Sequence, residues 1–258
     1  MPMAGHLYYE IHGKGRPLVL LHGHTLDHRM WQPLLPLITP HVQAVLVDLP
    51  GHGRSLPSPD GSGPADDLAR LLTDLGVDRA AVCGHSMGGA IAVRFALQAP
   101  DRCAALIPVG AALDGFPFSS WAGPGPYIRI ARSQGLAPAL EAWLQDPIFA
   151  TVMASPAAEQ IRTIVRDYPG HAWLNRTNRT VRGTETLSPA QRLGEITAPT
   201  LVVVGEKDLP DFHAIAGALA TGIPGARKAV VPGAGHMVPV EQPEALASVL
   251  LSFLTTLP

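Results

Sequence analysis

A serine framed by glycines, Gly84-His85-Ser86-Met87-Gly88-Gly89, stands between an apolar run, Ala80-Ala81-Val82-Cys83, and a helix-like stretch from Ala90 to Ala99. A strand that turns directly into a helix holds the residue at the bend in a strained backbone conformation and presents its side chain outward. Glycines two before and two after remove the side chains that would collide across so sharp a bend. A serine placed there is a candidate nucleophile. The bare Gly-x-Ser-x-Gly pattern also arises by chance, so its weight depends on what else the chain delivers to strand ends.

A serine hydroxyl is a poor nucleophile at neutral pH and needs a base within hydrogen-bond reach and an acid to orient that base. Both occur downstream. Leu201-Val202-Val203-Val204-Gly205 is strand-like and leads into a turn carrying Asp208, and Val230-Val231 leads into Pro232-Gly233-Ala234-Gly235-His236. The order is Ser86, Asp208, His236, each after the C-terminal end of a strand, where open α/β sheets place their sites. Competitors exist among eleven histidines: His22, His24, His28 and His52 precede the serine, and His85 belongs to the bend itself. Glu206 and Asp211 compete with Asp208, although Asp211 also suits a helix cap.

The tetrahedral oxyanion formed by serine attack needs preorganised donors. One is the amide of Met87, at a helix N-terminus where unpaired N–H groups and the dipole favour negative charge. The second is assigned to the amide of His24, in the loop after Leu20-Leu21-His22-Gly23, with Thr25 as the alternative and a purely structural turn role for His24 also open.

These groups need a scaffold that brings strand ends together. Residues 7–12, 17–22, 42–48, 80–84, 103–109, 200–205 and 226–231 are short apolar runs bounded by turns, several of them continuous in Val, Leu, Ile and Ala. That pattern suits strands buried on both faces of a parallel sheet. Helical spacing alternates with them at 30–38, 65–75, 87–98, 211–221 and 242–254, so a mostly parallel α/β sheet covered on both faces is expected. The alternation breaks between Leu113 and Ser188, which predicts a core of residues 1–112 and 189–258 with a helical insertion over 113–188. Helix-like pieces fall there at 127–134, 137–144 and 157–168. The insertion carries eight of the 14 aromatic residues, Phe116, Phe118, Trp121, Tyr127, Trp143, Phe149, Tyr168 and Trp173, as a small core of its own or as a pocket wall.

Composition bounds the partners. With 258 residues, 47% hydrophobic and 16% charged, the chain reads as a compact soluble protein. A net charge of −2 and no Lys/Arg tract give no reason to expect nucleic acid. Met1 to Gly13 lacks a basic stretch followed by a long apolar one, and no apolar run is long enough to span a bilayer, so a cytoplasmic location without membrane association is expected. Cys83 and Cys103 are expected as buried free thiols. The sequons at Asn175 and Asn178 carry little meaning without a secretory signal. Seven insertion arginines, Arg129, Arg132, Arg162, Arg166, Arg176, Arg179 and Arg182, are expected mainly on the surface, with carboxylate recognition open if one points inward.

Together, His22-Gly23-His24 with Trp31 beyond it, Asp48-Leu49-Pro50-Gly51-His52-Gly53-Arg54-Ser55, the Ser86 elbow, Gly205-Glu206-Lys207-Asp208 and Gly233-Ala234-Gly235-His236 resemble the α/β-hydrolase superfamily over nearly the whole chain apart from the insertion. The resemblance implies an eight-stranded, mainly parallel sheet flanked by helices, a helical cap after the sixth strand, and a Ser86–His236–Asp208 triad. It supports His24 and Met87 as oxyanion donors and makes the Asp48 to Ser55 stretch a structural turn. The segment from Ser55 to Leu75 looks shorter than usual for the family, which predicts a helix short by a turn beside the cap. Serine at the elbow argues against the dehalogenase and epoxide-hydrolase members, which use aspartate there. The expected reaction is hydrolysis of a carboxylic ester or lactone of a small to medium, partly apolar substrate through an acyl-enzyme on Ser86, with no metal or organic cofactor. Thr25, Phe116, Trp121, Trp143 and Met237 are the candidate substrate-wall residues. Carbon–carbon bond hydrolysis or enol-lactone opening in aromatic catabolism stays open, as does a hydrolase-fold ligand receptor. Substrate identity and oligomeric state lie beyond these motifs.

Overall fold

The computed structural model describes residues 3–59, 62–174 and 187–257. Eight strands form one sheet: β1 (Met3–Ala4), β2 (Leu7–His12), β3 (Arg16–Leu21), β4 (Val42–Val47), β5 (Ala80–His85), β6 (Cys103–Val109), β7 (Leu201–Gly205) and β8 (Arg227–Val231). Their order across the sheet is β1-β2-β4-β3-β5-β6-β7-β8. β1 and β2 pair antiparallel at one edge, and every pair from β4 to β8 is parallel. The continuous Val/Leu/Ile/Ala runs explain the centre: β5 and β7 are buried at every position, as a parallel strand covered on both faces requires.

The helices are α1 (Leu35–Ile38), α2 (Pro64–Asp74), α3 (Met87–Gln98), α4 (Gly125–Gln134), α5 (Leu136–Trp143), α6 (Ala150–Met153), α7 (Ala158–Arg166), α8 (His171–Leu174), α9 (Pro210–Gly222), α10 (Val238–Glu241) and α11 (Pro243–Leu254). α2 starts with Pro64 in its first turn and Asp66 accepting from the Gly63 amide, and it buries Leu68, Leu71 and Leu72 on one stripe. Helices α4 to α8 all lie between β6 and β7. Cys83 and Cys103 are buried free thiols.

Two sequence expectations need correction. The helix expected over 30–38 is a 3-10 turn, His28–Trp31, and the four-residue α1, because Pro33 and Pro36 break the ladder between them. The helix expected from Gln242 starts one residue later, after the separate turn α10. The two-residue β1 went unforeseen, since two residues carry no periodicity.

A buried polar knot fixes the loop after β4. Asp48 accepts hydrogen bonds from His28 N and His28 Nδ1, both at 2.8 Å, and from Arg54 N at 2.8 Å. The Ser55 hydroxyl donates to the Asp48 carbonyl at 2.6 Å and accepts from Tyr8 N at 2.8 Å, tying the loop to β2. Asp48 is fully buried, so removing its carboxylate strands three donors. Asp48→Ala is expected to destabilise the fold by about 3 kcal/mol in urea titrations. A cost below about 1 kcal/mol would show the knot is replaceable by water.

Candidate active site

Ser86 follows β5 and opens α3 with φ 53° and ψ −115°, a positive φ that side-chain-bearing residues rarely adopt. The backbone is held there from both sides. Ser86 N donates to Val109 O of β6 at 3.0 Å, and Ser86 O accepts from Gly89, Ala90 and Ala112 amides at 2.9, 3.2 and 3.0 Å. Glycine is required around it: a β-carbon on Gly84 would lie 2.1 Å from Gly88 O, and one on Gly88 would lie 2.4 Å from Leu21 O. The Ser86 side chain does not cap α3, so its hydroxyl is left available.

His236 lies in the loop after β8, and its Nδ1 is 3.0 Å from both carboxylate oxygens of Asp208 in the turn after β7. A carboxylate only accepts, so Nδ1 carries the proton and Nε2 presents its lone pair. Nε2 is buried and has no partner among the described residues. Two contacts put this pair beside the elbow. A β-carbon on Gly110, the residue after Val109, would come 3.2 Å from Asp208 Oδ2 and 3.3 Å from His236 Nδ1. His85 Nε2 donates to His236 O at 2.9 Å, with the two rings 4.8 Å apart. Ser86, Asp208 and His236 are thus gathered at the C-terminal ends of β5, β7 and β8, and Ser86 keeps 8% of its surface exposed.

The competing acids are engaged elsewhere. Glu206 accepts from Gly233 N. Asp211 neither serves His236 nor caps its helix, where Leu209 is the N-cap. It accepts from the Ser119 and Ser120 amides and hydroxyls and from Trp121 N, all between 2.7 and 2.9 Å. These bonds, led by the Ser119 hydroxyl, hold its carboxyl far below the ordinary range.

The loop after β3 approaches Ser86 closely, since a β-carbon on Gly23 would lie 3.3 Å from Ser86 Cβ. His22 braces it, donating from Nδ1 to Gly23 O at 2.8 Å and accepting from Leu49 N at 2.9 Å. Thr25 has φ 60° and is fully buried. Its hydroxyl donates to His24 O at 2.6 Å and accepts from the Trp143 indole at 2.8 Å. The Trp173 indole donates to His24 Nε2 at 2.6 Å. Among the described residues, the His24 and Met87 amides have no acceptor.

Aromatic rings run from His236 to this loop. Phe212 packs against His236 at 4.1 Å with the rings tilted by 43°, Trp121 lies 5.4 Å from Phe212, Trp143 6.2 Å from Trp121, Trp173 6.2 Å from Trp143, and His24 5.8 Å from Trp173. Of the candidate wall residues, Thr25, Trp121 and Trp143 belong to this arch. Met237 is buried next to His236, while Phe116 makes none of these ring contacts among the described residues. Sequence patterning missed Phe212, which helical spacing marks only as core, and Asp146, which accepts from the Trp121 indole and the Tyr127 hydroxyl. Arg132 donates to Trp173 O, Arg162 and Arg166 pair with Glu159 and Glu141, and Arg129 is exposed. Arg176, Arg179, Arg182, Asn175 and Asn178 lie outside the described residues. One cluster, Asp27, His28 and Asp48, brings three metal-ligand atoms within 4.8 Å, but Arg29, His28 and Arg54 already supply donors to its carboxylates. A cavity of about 880 Å³ lies at the N-terminal ends of the central strands, the opposite end from Ser86, lined by Arg16, His41, Arg79 and Leu254.

A sequence model of the alpha/beta hydrolase family matches residues 18–249. A pimeloyl-[acyl-carrier protein] methyl ester esterase of Pectobacterium atrosepticum is 30% identical over 255 residues, covering 96% of this chain and 98% of its own. Among solved structures, a thermophilic esterase from Thermogutta terrifontis superimposes with a TM-score of 0.81 at 30% identity, covering 97% of this chain and 93% of its own. Est816, described as an N-acyl homoserine lactone degrading enzyme, gives 0.76 at 28% identity and 96% coverage of both chains. No helix among the described residues is long and apolar enough to cross a membrane.

The site's surroundings are held neutral. Burial lowers the pKa of His22, His52 and His85, and of half-buried His24 to about 4. Below about pH 6.5 the unfolded chain therefore takes up protons that the folded one refuses, so these four groups contribute stability that is lost as pH falls. His28 acts oppositely: burial disfavours its charged form, but Asp48 outweighs that and raises its pKa, so its contribution is lost as pH rises. Four groups outweigh one. Urea unfolding is expected to show lower stability at about pH 5 than at about pH 7.5, with His24 alone contributing about 1 kcal/mol after allowing for its partial exposure. Equal stabilities at the two pH values would show that these rings are solvated.

Proposed function

The chain belongs to the alpha/beta hydrolase family, and from that premise we propose that it is a serine hydrolase cleaving a carboxylic ester or lactone through an acyl-enzyme on Ser86. The observation that carries this is His236, its Nδ1 clamped by Asp208 and its buried Nε2 unpartnered beside the elbow. His236 Nε2 takes the Ser86 proton as Oγ attacks the carbonyl, and Asp208 supports the imidazolium. The His24 and Met87 amides bind the oxyanion. His236 then protonates the leaving alkoxide, deprotonates water for attack on the acyl-enzyme, and returns the proton to Ser86.

The insertion over residues 113–188, of which 175–186 lie outside the described residues, acts as a cap over this site, and the aromatic arch supports a small to medium, partly apolar substrate. The described cap arginines give no support to carboxylate recognition near Ser86. The relative named as a methyl ester esterase and the solved esterase favour an ester, and Est816 keeps a lactone in the panel.

The parent is expected to turn over p-nitrophenyl acetate and butyrate or simple lactones. Ser86→Ala should lose about 10⁶-fold in kcat, and Asp208→Asn about 10³- to 10⁴-fold. A fluorophosphonate probe should label Ser86. Labelling at another residue, or full turnover by Ser86→Ala, would overturn the nucleophile, and specific binding without turnover by the parent would mark a ligand-binding protein instead. Trp121→Ala should raise KM for butyrate about tenfold with kcat little changed, as expected for lost uniform binding; an unchanged KM would remove Trp121 from the substrate wall.

A further inference from the structure

The proposed base stands on a loop with little stiffness of its own, Pro232-Gly233-Ala234-Gly235-His236. A displacement of about 1 Å in such a group can cost about a hundredfold in rate. Asp208 fixes the imidazole, and the backbone on either side of it is fixed by a different carboxylate. Gly235 N donates to Glu241 Oε2 at 2.7 Å, and Met237 N donates to Glu241 Oε1 at 3.0 Å. Glu241 ends α10, so its side chain folds back over the turn that carries His236. Among the described residues, no Arg or Lys forms an ion pair with it; Lys207 lines the same outer cleft without reaching within 4 Å. On balance the Glu241 pKa is raised: burial pushes it up and the Asp208 charge adds to that, while the two amides and His236 pull it part of the way back.

We propose that Glu241 is a positioning residue for His236: its two oxygens tie down the amides flanking the base, and its charge favours the imidazolium formed in each half-reaction. This rests on the reading of His236 as the base. The other groups facing His236 are Asp208 at Nδ1, His85 at its carbonyl and the apolar ring of Phe212, with Glu206 holding Gly233 and the Lys207 amide donating to Ala234 O. Glu241→Gln keeps the shape, removes the charge and turns a donor toward one of the two amides. The imidazolium then loses support, so the acidic limb of the kcat/KM profile moves to lower pH even as the reaction slows.

The test is p-nitrophenyl butyrate hydrolysis, or fluorophosphonate labelling of Ser86, across pH in the parent, Glu241→Gln, Glu241→Asp and His236→Ala. Thermal melting of each variant runs in parallel. The expected result is a folded Glu241→Gln with kcat down about tenfold to a hundredfold, KM within about twofold, and the acidic limb lowered by about half a pH unit. Glu241→Asp should return the limb to its parent position while remaining slow, because the shorter side chain keeps the charge and loses the reach. A Glu241→Gln profile with parental kcat and limb overturns the proposal. So does a loss that only tracks the folded fraction and leaves the limb unmoved. His236→Ala separates the two levels: parental activity in that variant removes the base itself, whatever Glu241 does.

Discussion

The left-handed backbone at Ser86 is the constraint around which the rest is arranged. A non-glycine residue at φ 53° costs about 1–3 kcal/mol, so the conformation persists only because β6 and α3 hold both of its peptide groups. That arrangement forces β5, α3 and the end of β3 into contact distances at which Gly84 and Gly88 leave no room for a side chain. The same closeness brings the Gly23 loop against Ser86 and the Asp208–His236 pair against Gly110. A single strained residue thereby sets the positions of three neighbouring strand ends.

Strand ends feed irregular loops, and irregular loops leave amides unpaired. Here carboxylates from neighbouring elements collect them. Asp48 takes the His28 and Arg54 amides, Asp211 those of residues 119 to 121, Asp146 that of Ile148 and Glu241 those of Gly235 and Met237. Losing the carboxylate at any of these points leaves amides without a partner, which is costly where they are buried. Between these charged knots the histidines nearest the elbow stay neutral, so, on the reading of Ser86 as the nucleophile, charge developing there would meet dipoles and a single Asp–His pair.

The central strands, α2, α3, α9 and α11 were legible because buried runs and helical stripes are local signals. Ser86, Asp208 and His236 were legible as candidates because each stands after such a strand. Legibility ends where a residue's partner is distant in sequence. Asp211 offers two short-range roles, acid or cap, and takes neither, since its donors lie some ninety residues earlier. Phe212 reads as ordinary helix core until the fold sets it on His236. The broken helix at 30–38 is the opposite case, in which Pro33 and Pro36 were visible and outweighed the apolar spacing.

The insertion between β6 and β7 and the loop after β3 are mechanically one unit. The Trp173 indole holds the His24 ring, the Trp143 indole holds the Thr25 hydroxyl, and that hydroxyl holds the His24 carbonyl. On the reading that the His24 amide receives the oxyanion, the side chains that shape the substrate wall also set the peptide planes that aim the donor. Donor alignment is worth kilocalories only when it is fixed before the charge appears. A substitution at Trp143 or Trp173 therefore reaches the transition state as well as the ground state. Trp143 and Trp173 are coupled to the donor loop by direct hydrogen bonds, whereas Trp121, bonded to Asp146 and Asp211, is not. On that same reading, acyl preference would shift through Trp121 without moving the oxyanion donors, and changes at the other two tryptophans would carry rate and selectivity together.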